Sequence, residues 1–439
     1  MKKVISLLVI LTMMVTTLLT GCGSSSSSGS GTELKLWTFV GLHGNFYKDA
    51  AKRWNKAHPN EKINLKVTTY PYADMHNKLL VALQSGVGAP DISDVELGQF
   101  PNFLKGTPQI ANLSDLVSAD KDKFVQSRFK LYSKDGKLYG LDFHVGATVA
   151  FYNKDICAQA GVDPTKIKTW DDFEAAGKTI KAKTGKLMCY VSQTATWEFT
   201  LMTAQKGSDV FDENGNVTLD NQTNIDILKK LHDMIYVDKI AAVSPGGQVD
   251  TEEGYGAVNK GKVAAVVMPF WYTSRFLENM PDLKGKMLVT APPQFTAEQG
   301  GKYMTAGLGG TGTVIPSQGK NIKLAKKFLQ FAKETKEASI KIWEQLGFDP
   351  PRWDAWNEIS SNMKDSKYTE YFANGKDLFK VLVPMKDSVN IQRSTSLSPT
   401  ANDLLNTQAF YKVLQKNTQD PATALKAAAN ELRKKGKAN

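Results

Sequence analysis

The sequence predicts an α/β protein whose first part is built on a parallel sheet, and three observations carry that prediction. Residues 33–39 (ELKLWTF) and 63–67 (INLKV) alternate apolar and polar side chains, the two-residue period of a strand with one buried face. Between and after them apolar residues recur at helical spacing: Phe46, Ala50, Trp54 and Ala57, then Met75, Leu79 and Leu83, a stripe ended by Gly86 and Gly88. Residues 89–95 (APDISDV) read as a short buried strand. Strand–helix–strand–helix–strand within about 65 residues is the pattern of parallel strands joined by right-handed crossovers. Ligands of such sheets bind beyond the carboxyl ends of the strands. Those ends are residues 38–43 (TFVGLH) and 94–96 (DVE).

Further along, Asp135-Gly136 is a two-residue hairpin turn, and the alternation through Phe151 predicts a long strand. Thr169 and Asp172 are spaced as the N-cap and third position of a helix, nearly a capping box. Residues 263–268 (VAAVVM) form a buried strand broken at Pro269, and 306–316 (AGLGGTGTVIP) carry enough glycine for a crossing or close-approach segment. Leu324, Phe328 and Phe331 begin a long amphipathic helix. It reaches residues 347–356 (GFDPPRWDAW), where two prolines rule out continuous helix. Trp353 and Trp356, three apart, either start a core-facing helix or form a stacking platform. Trp54 and Trp343 sit on helical stripes and belong to the core.

The N-terminus reads as an export signal. Met1-Lys2-Lys3 is basic, residues 4–19 are apolar but short for a membrane span, and the run closes on Leu19-Thr20-Gly21-Cys22. This closing tetrad resembles the lipobox of bacterial lipoproteins, in which the cysteine is acylated and becomes the first mature residue. The following residues, up to Gly31, are all glycine or serine, a flexible tether. The formal charge of +11 is spread along the 439 residues, whereas a nucleic-acid surface needs a concentrated basic face. Cys157 and Cys189 are neither a disulfide framework nor a metal-spaced pair, and are expected as buried thiols. No phosphate-binding loop, nucleophile elbow or zinc motif occurs, and no cofactor is expected. Asp91 with Asp94, or Glu252 with Glu253, could be offered as glycosidase pairs, but carboxylates that only bind hydroxyls read the same. Residues 212–216 (DENGN) lack the glycine and glutamate of a calcium loop and read as a turn.

The lipobox-like tetrad, the tether, LWTF, GAPDISDVE, YGLDFHVGATVAFYNKD, TWDDF, GKVAAVVMPFWY and AGLGGTGTVIP follow one another in an order that resembles the extracellular solute-binding proteins of ATP-binding-cassette sugar importers, the group of maltose-binding protein. YPYADMHNKL, MPFWYTSRF, MPDLKGK and LGFDPPRWDAW are similar to its arabinose- and arabino-oligosaccharide-binding lipoproteins from Gram-positive bacteria. The resemblance implies a type II two-lobe fold with a sugar held between the lobes. It also implies signal residues 1–21, a tether over 22–31, a first lobe of 32–144 plus 292–331, and a second of 145–291 plus 332–439. Crossings would fall near residues 143–146, 290–293 and Phe331. The expected partners are an oligosaccharide, the permease subunits of an importer and, through Cys22, the outer face of the cell membrane; the protein would be a monomer.

A sugar offers hydroxyls and weakly apolar C–H faces, so its pocket needs aromatic faces and hydrogen-bonding side chains, with no need for a metal. Such residues stand where the sheet reading places the cleft: Trp37, Phe39 and His43 at the first strand end, and Asp94 and Glu96 at the third. Phe143 and His144 lie on the first crossing, and Trp197 and Glu198 at a helix start. Trp271 and Tyr272 follow the strand ending at Pro269, where the family places a stacking aromatic. Gly309 and Gly310 would let backbone approach the ligand, and Arg352, Trp353 and Trp356 would come from the other lobe. Another oligosaccharide, a sensor-coupled receptor and a surface glycosidase are the alternative readings.

Overall fold

The computed structural model describes residues 31–438; the expected signal peptide, Cys22 and nearly all of the tether lie outside them. The alternating residues at the start form β1 (Thr32–Thr38), with Leu34, Leu36 and Thr38 buried on one face. It lies between β2 (Ile63–Thr69) and β3 (Ile92–Glu96), both parallel to it. The crossovers are α1 (Gly41–Ala57) and α2 (Tyr72–Ser85), which bury Phe46, Ala50 and Trp54, and Met75, Leu79 and Leu83. The Asp135-Gly136 hairpin forms between Ser133–Lys134 and Lys137–Leu138, with both turn residues at positive φ.

The expected long strand through Phe151 is shorter: β4 begins only at Thr148 (Thr148–Asn153), and the residues before it cross between the lobes with only isolated bridges to the returning chain. β4 is the centre of a second sheet. Val149 and Phe151 enter one apolar core and Ala150 and Tyr152 another, so both faces are covered. The helix α3 (Trp170–Thr184) carries the complete capping box, with Thr169 accepting from the Asp172 amide and the Asp172 carboxylate accepting from the Thr169 amide. Next come β5 (Cys189–Val191), α4 (Trp197–Gln205), β6 (Ala241–Val243), β7 (Ala265–Pro269) and β8 (Met287–Thr290). β7 and β8 flank β4 antiparallel, and β5 pairs parallel with β6. Amides of Ala264 and Ala265 donate to Leu187 and Met188 at 2.9 and 2.7 Å, joining the two groups. Cys157 and Cys189 are buried free thiols.

The chain then returns. β9 (Thr311–Val314) joins the first sheet antiparallel to β3, giving the order β9-β3-β1-β2. The sequence reading put this return at residues 290–293, and the structure puts it later. The Gln294 amide donates to Lys168 at 2.9 Å, and those of Lys302 and Tyr303 to Gln205. The segment therefore stays on the second lobe, and Pro292-Pro293 only ends β8. The chain leaves at Leu308–Gly310, antiparallel to the first crossing through bridges Ala147–Gly307 and Leu141–Thr313. Gly146, at φ 68°, is required there, because a Cβ would stand 2.3 Å from the Leu308 carbonyl oxygen.

The long helix expected from Leu324 is two pieces. α5 (Ile322–Leu329) continues as a wider turn to Glu334, breaks at Thr335, and restarts as α6 (Lys336–Leu346) under a Thr335 cap. α6 bridges the lobes: Gln345 donates to Asp49 on α1 at 2.7 Å, and Trp343 packs on Phe270 and Phe379. The Asp349 carboxylate then accepts the amides of Gly146 and Ala147 at 3.2 and 2.8 Å, fastening the first crossing. Burial raises this carboxyl to about 7 against the pull of those amides. Among the described residues no helix is long and apolar enough to cross a membrane.

Candidate functional site

A chain of touching rings runs from the first lobe over the crossings to the second. Phe39, half-buried at the end of β1, meets Tyr72 at 5.4 Å, His76 at 5.1 Å and His43 at 6.4 Å. His43 stacks on Phe143 at 4.2 Å and meets the edge of Phe348 at 5.9 Å. Phe348 meets His144 at 5.0 Å, His144 meets Trp271 at 6.4 Å, and Trp271 meets Trp197 at 5.8 Å. Strand ends and helix starts at the same level of both sheets explain the convergence, as the sheet reading requires.

The second-lobe wall is held from behind. The Trp271 indole N–H donates to the Leu308 carbonyl at 3.0 Å, and the Arg275 guanidinium lies 5.5 Å from the ring centre. Arg275 is fixed by Asp250 at 3.0 Å. Trp197, half-buried, donates to Gln248 Oε1 at 2.9 Å. The two indole N–H groups are thus tied to the protein and Arg275 takes one face of Trp271, which is itself 8 % exposed, so both rings are held in place before any ligand arrives.

At the centre, His144 is 5 % exposed and its Nδ1 has no hydrogen-bond partner. Burial lowers its imidazole to about 3, so it stays neutral and can offer a donor or an acceptor. An unpaired polar atom beside Trp271 and Phe348 is what a ligand hydroxyl would satisfy.

The acids behave differently from the sequence reading. Asp94 is fully buried, sharing the parity of Ile92 on β3, and lies under His43 rather than in the open cleft. It accepts from Thr38 at 2.8 Å, Tyr47 at 3.0 Å and Thr313 at 3.0 Å, with His43 Nδ1 at 3.2 Å. Burial alone would raise this carboxyl, but His43, the Lys333 ammonium and Thr38 hold it below its usual value. Its lone pairs are occupied, so it positions His43 instead of meeting a ligand. Lys333 completes the network, donating to Thr313 Oγ1 at 2.7 Å and to Leu141 at 2.6 Å. Glu96 accepts from Tyr72 at 2.9 Å and the Gly98 amide at 2.7 Å, and burial raises its carboxyl. Glu198 follows Trp197 on α4 but points inward, taking the Ser192 amide and hydroxyl at 3.1 and 3.2 Å.

Other expected residues fall elsewhere. Tyr272 is fully buried and donates to the Val249 carbonyl at 2.8 Å, a core role. Trp37 meets Tyr70 at 5.3 Å and does not join the ring chain. Gly309 and Gly310 make room for protein rather than for ligand: a Cβ at 309 would be 3.1 Å from Trp271 Nε1, and one at 310 would be 2.2 Å from Arg128 Nη2. Arg128, bonded to Asp142 and to the Gly309 carbonyl, knots the two crossings together. Arg352 pairs with Asp120 and Asp354, both at 2.8 Å, and the Trp353 indole donates to the Asp122 carbonyl at 2.9 Å. That places them on the flank of the first lobe. Trp356 is buried under Phe379 and donates to Pro350, so this tryptophan is core. Phe348, Tyr72, His76, Gln248 and Arg275 were not singled out; Phe348 stands inside the proline-broken stretch, and Tyr72 is exposed next to Pro71, the one local sign it gave. Among the described residues no cluster of three or more His, Cys, Asp or Glu is placed to hold a metal.

Comparison with known proteins adds the family. Residues 41–339 match the family described as bacterial extracellular solute-binding protein. The arabinooligosaccharide-binding protein of Bacillus subtilis is 46% identical over 439 residues, 99% of this chain and 100% of that one. The protein of the same name from Halalkalibacterium halodurans is 47% identical over 401 residues, 91% of this chain and 89% of that one. Among solved structures, the GacH receptor of Streptomyces glaucescens superposes with a TM-score of 0.73 at 20% identity, covering 92% of this chain and 98% of that one.

Proposed function

This chain belongs to the bacterial extracellular solute-binding proteins, and we propose that it captures an arabinose-containing oligosaccharide in the ring-lined cleft and presents it to an ATP-binding-cassette importer. The observation that carries the reading is the pair Trp271 and Trp197, braced from behind, beside the unpaired Nδ1 of His144. Indole faces accept the C–H side of a pyranose or furanose, and His144 meets a hydroxyl. His43, held by Asp94, and Phe39 with Tyr72 line the opposing wall. Names of the relatives near half identity support arabinose over other sugars. Binding without turnover is the reading favoured by the buried acids Asp94 and Glu198, whose hydrogen bonds go to the protein.

Ligand would touch both walls and so favour the closed arrangement of the lobes, a population shift about the crossings at Gly146 and Leu308–Gly310. The closed lobes would be what the permease subunits recognise. Export through the N-terminal signal, with acylation of Cys22 and the Gly/Ser tether, would hold the monomer at the outer face of the membrane.

Titration calorimetry with L-arabinose, arabinobiose, arabinotriose, lactose and xylotriose tests this. The reading expects micromolar or tighter binding of an arabino-oligosaccharide and no consumption of it on long incubation. Heat with lactose or xylotriose alone would remove the substrate, and silence with every sugar would remove the reading.

A further inference from the structure

One residue of the stretch after α6 holds three consecutive amides of the first crossing. The Asp349 carbonyl accepts the Val145 amide at 2.9 Å, and its carboxylate oxygens accept those of Gly146 at 3.2 Å and Ala147 at 2.8 Å. Asp349 is fully buried, where amide-to-carboxylate bonds are strong. This clamp borders the centre of the cleft on both sides. Phe348, the residue before Asp349, meets the His144 ring at 5.0 Å and the His43 ring at 5.9 Å. His144 directly precedes the clamped amides, and Gly146 lies so close to it that a Cβ there would stand 3.2 Å from His144 Nδ1. Gly146, at φ 68°, has the widest choice of backbone conformations in the crossing, so the clamp grips the chain where it is freest.

The two ionisation states of Asp349 cannot hold the clamp equally. A carboxylate presents an acceptor to each amide. With a proton, one oxygen becomes a hydroxyl, a poorer acceptor, and one of the two bonds weakens. Burial raises this carboxyl to about 7, against the pull of the amides and of Arg128. Arg128 is itself bonded to Asp142 at 2.7 Å. Of the other charged or titratable groups around the clamp, His144 is kept neutral by burial, His43 and Lys333 act on Asp94, and Arg352 pairs with Asp120 and Asp354. Resting on the sugar reading above, we propose that Asp349 is a positioning residue of the sugar site: its ionised carboxylate fixes residues 145–147, and through them it sets the His144 ring against Phe348 and the ligand. Sugar and the ionised carboxyl then favour one another, so bound sugar lowers the proton affinity of Asp349 and a proton weakens the sugar by the same factor.

The test has one readout without sugar and one with it. In the sugar-free protein, the amide proton shifts of Gly146 and Ala147, followed by NMR, should titrate together near pH 7, and Asp349→Asn should abolish that titration. In calorimetry the parent protein should bind arabinotriose about fivefold more weakly at pH 6 than at pH 8, as expected if sugar lowers the carboxyl by about one unit. Asp349→Asn, which keeps the shape and loses the charge, should bind about tenfold more weakly than the parent at pH 8 and lose this fall. The variant must keep the cooperative thermal transition of the parent, and the amide titration of the parent decides the assignment whether or not it does. Amides that do not titrate, a titration that persists in Asp349→Asn, or an affinity with the same pH profile in both proteins would overturn the proposal and leave the sugar reading intact. Silence toward every sugar at pH 8 would instead overturn the sugar reading, and the proposal with it.

Discussion

Asp94 and Glu198 sit beneath the two walls of the cleft, each buried and each beside a residue of the ring chain, yet their environments push them in opposite directions. Asp94 receives three hydroxyls and a histidine, with Lys333 close by, and is held ionised. Glu198 receives the amide and hydroxyl of Ser192 and its own backbone amide but no cation, and burial raises it to about 7. The first wall is a satisfied polar network that fixes a histidine. The second is a pair of indoles over a nearly apolar floor. What a carboxyl does in this cleft is thus set by how many donors reach it rather than by its distance from an aromatic residue in the chain.

Breaking the network should have the largest effect. Asp94→Ala leaves Thr38, Tyr47, Thr313 and His43 without this acceptor and takes from Lys333 the strongest of its countercharges, and should cost about 3–5 kcal/mol of stability in urea unfolding. The parent protein should also lose stability on acidification through the depressed folded value of Asp94, because this group stabilises only while ionised. Loss of less than about 1 kcal/mol in Asp94→Ala would mean the network is not held as described.

Removing the opposite wall should spare stability more and binding less. Trp271→Ala should weaken arabino-oligosaccharide binding by about 2 kcal/mol, roughly 30-fold, in calorimetry. His144→Phe, which keeps the ring and removes the unpaired nitrogen, should cost about 1 kcal/mol of affinity.

Glu198 sharpens the comparison through pH. Its folded value lies above the unfolded one, so the folded state holds the extra proton between about pH 4.5 and pH 7. Stability from this group is present below that window and falls as pH rises through it, by about 1 kcal/mol per pH unit. Glu334 and Asp349, both raised to about 7, add slopes of the same sign. Glu198→Gln should remove its own share from the slope measured by urea unfolding at several pH values; an unchanged slope would contradict the assignment.

The smallest effect is expected from Trp353→Ala. Its indole belongs to the flank of the first lobe, beside Lys386 at 5.0 Å and the Asp122 carbonyl, so sugar affinity should stay within about twofold.

That Trp271, Trp197, His43, His144 and Phe39 lie near one another is legible in the sequence, because each follows the end of a strand or starts a helix, and strand ends converge in an α/β fold. Asp94 was misread although its strand parity with Ile92 pointed inward. Glu198 was misread because a helix turns its next residue by about 100°. Glycines 309 and 310 announced a close approach, but a glycine does not say what approaches; here it is the Trp271 indole and the Arg128 guanidinium. The misplacement of Arg352 and Trp353 has a longer-range cause. After the break at Thr335 the chain comes back against residues 120–124 of the first lobe, through contacts that no local period records. The same distance explains the late return at Leu308–Gly310, since only the strand partner of β3, far away in sequence, decides where the crossing ends.

A crystal structure of the protein with arabinotriose tests the central claim most directly. A sugar ring lying on the face of Trp271, with a hydroxyl within hydrogen-bond distance of His144 Nδ1, is the expected result. Density for the trisaccharide anywhere that leaves Trp271 and His144 without contact would contradict it.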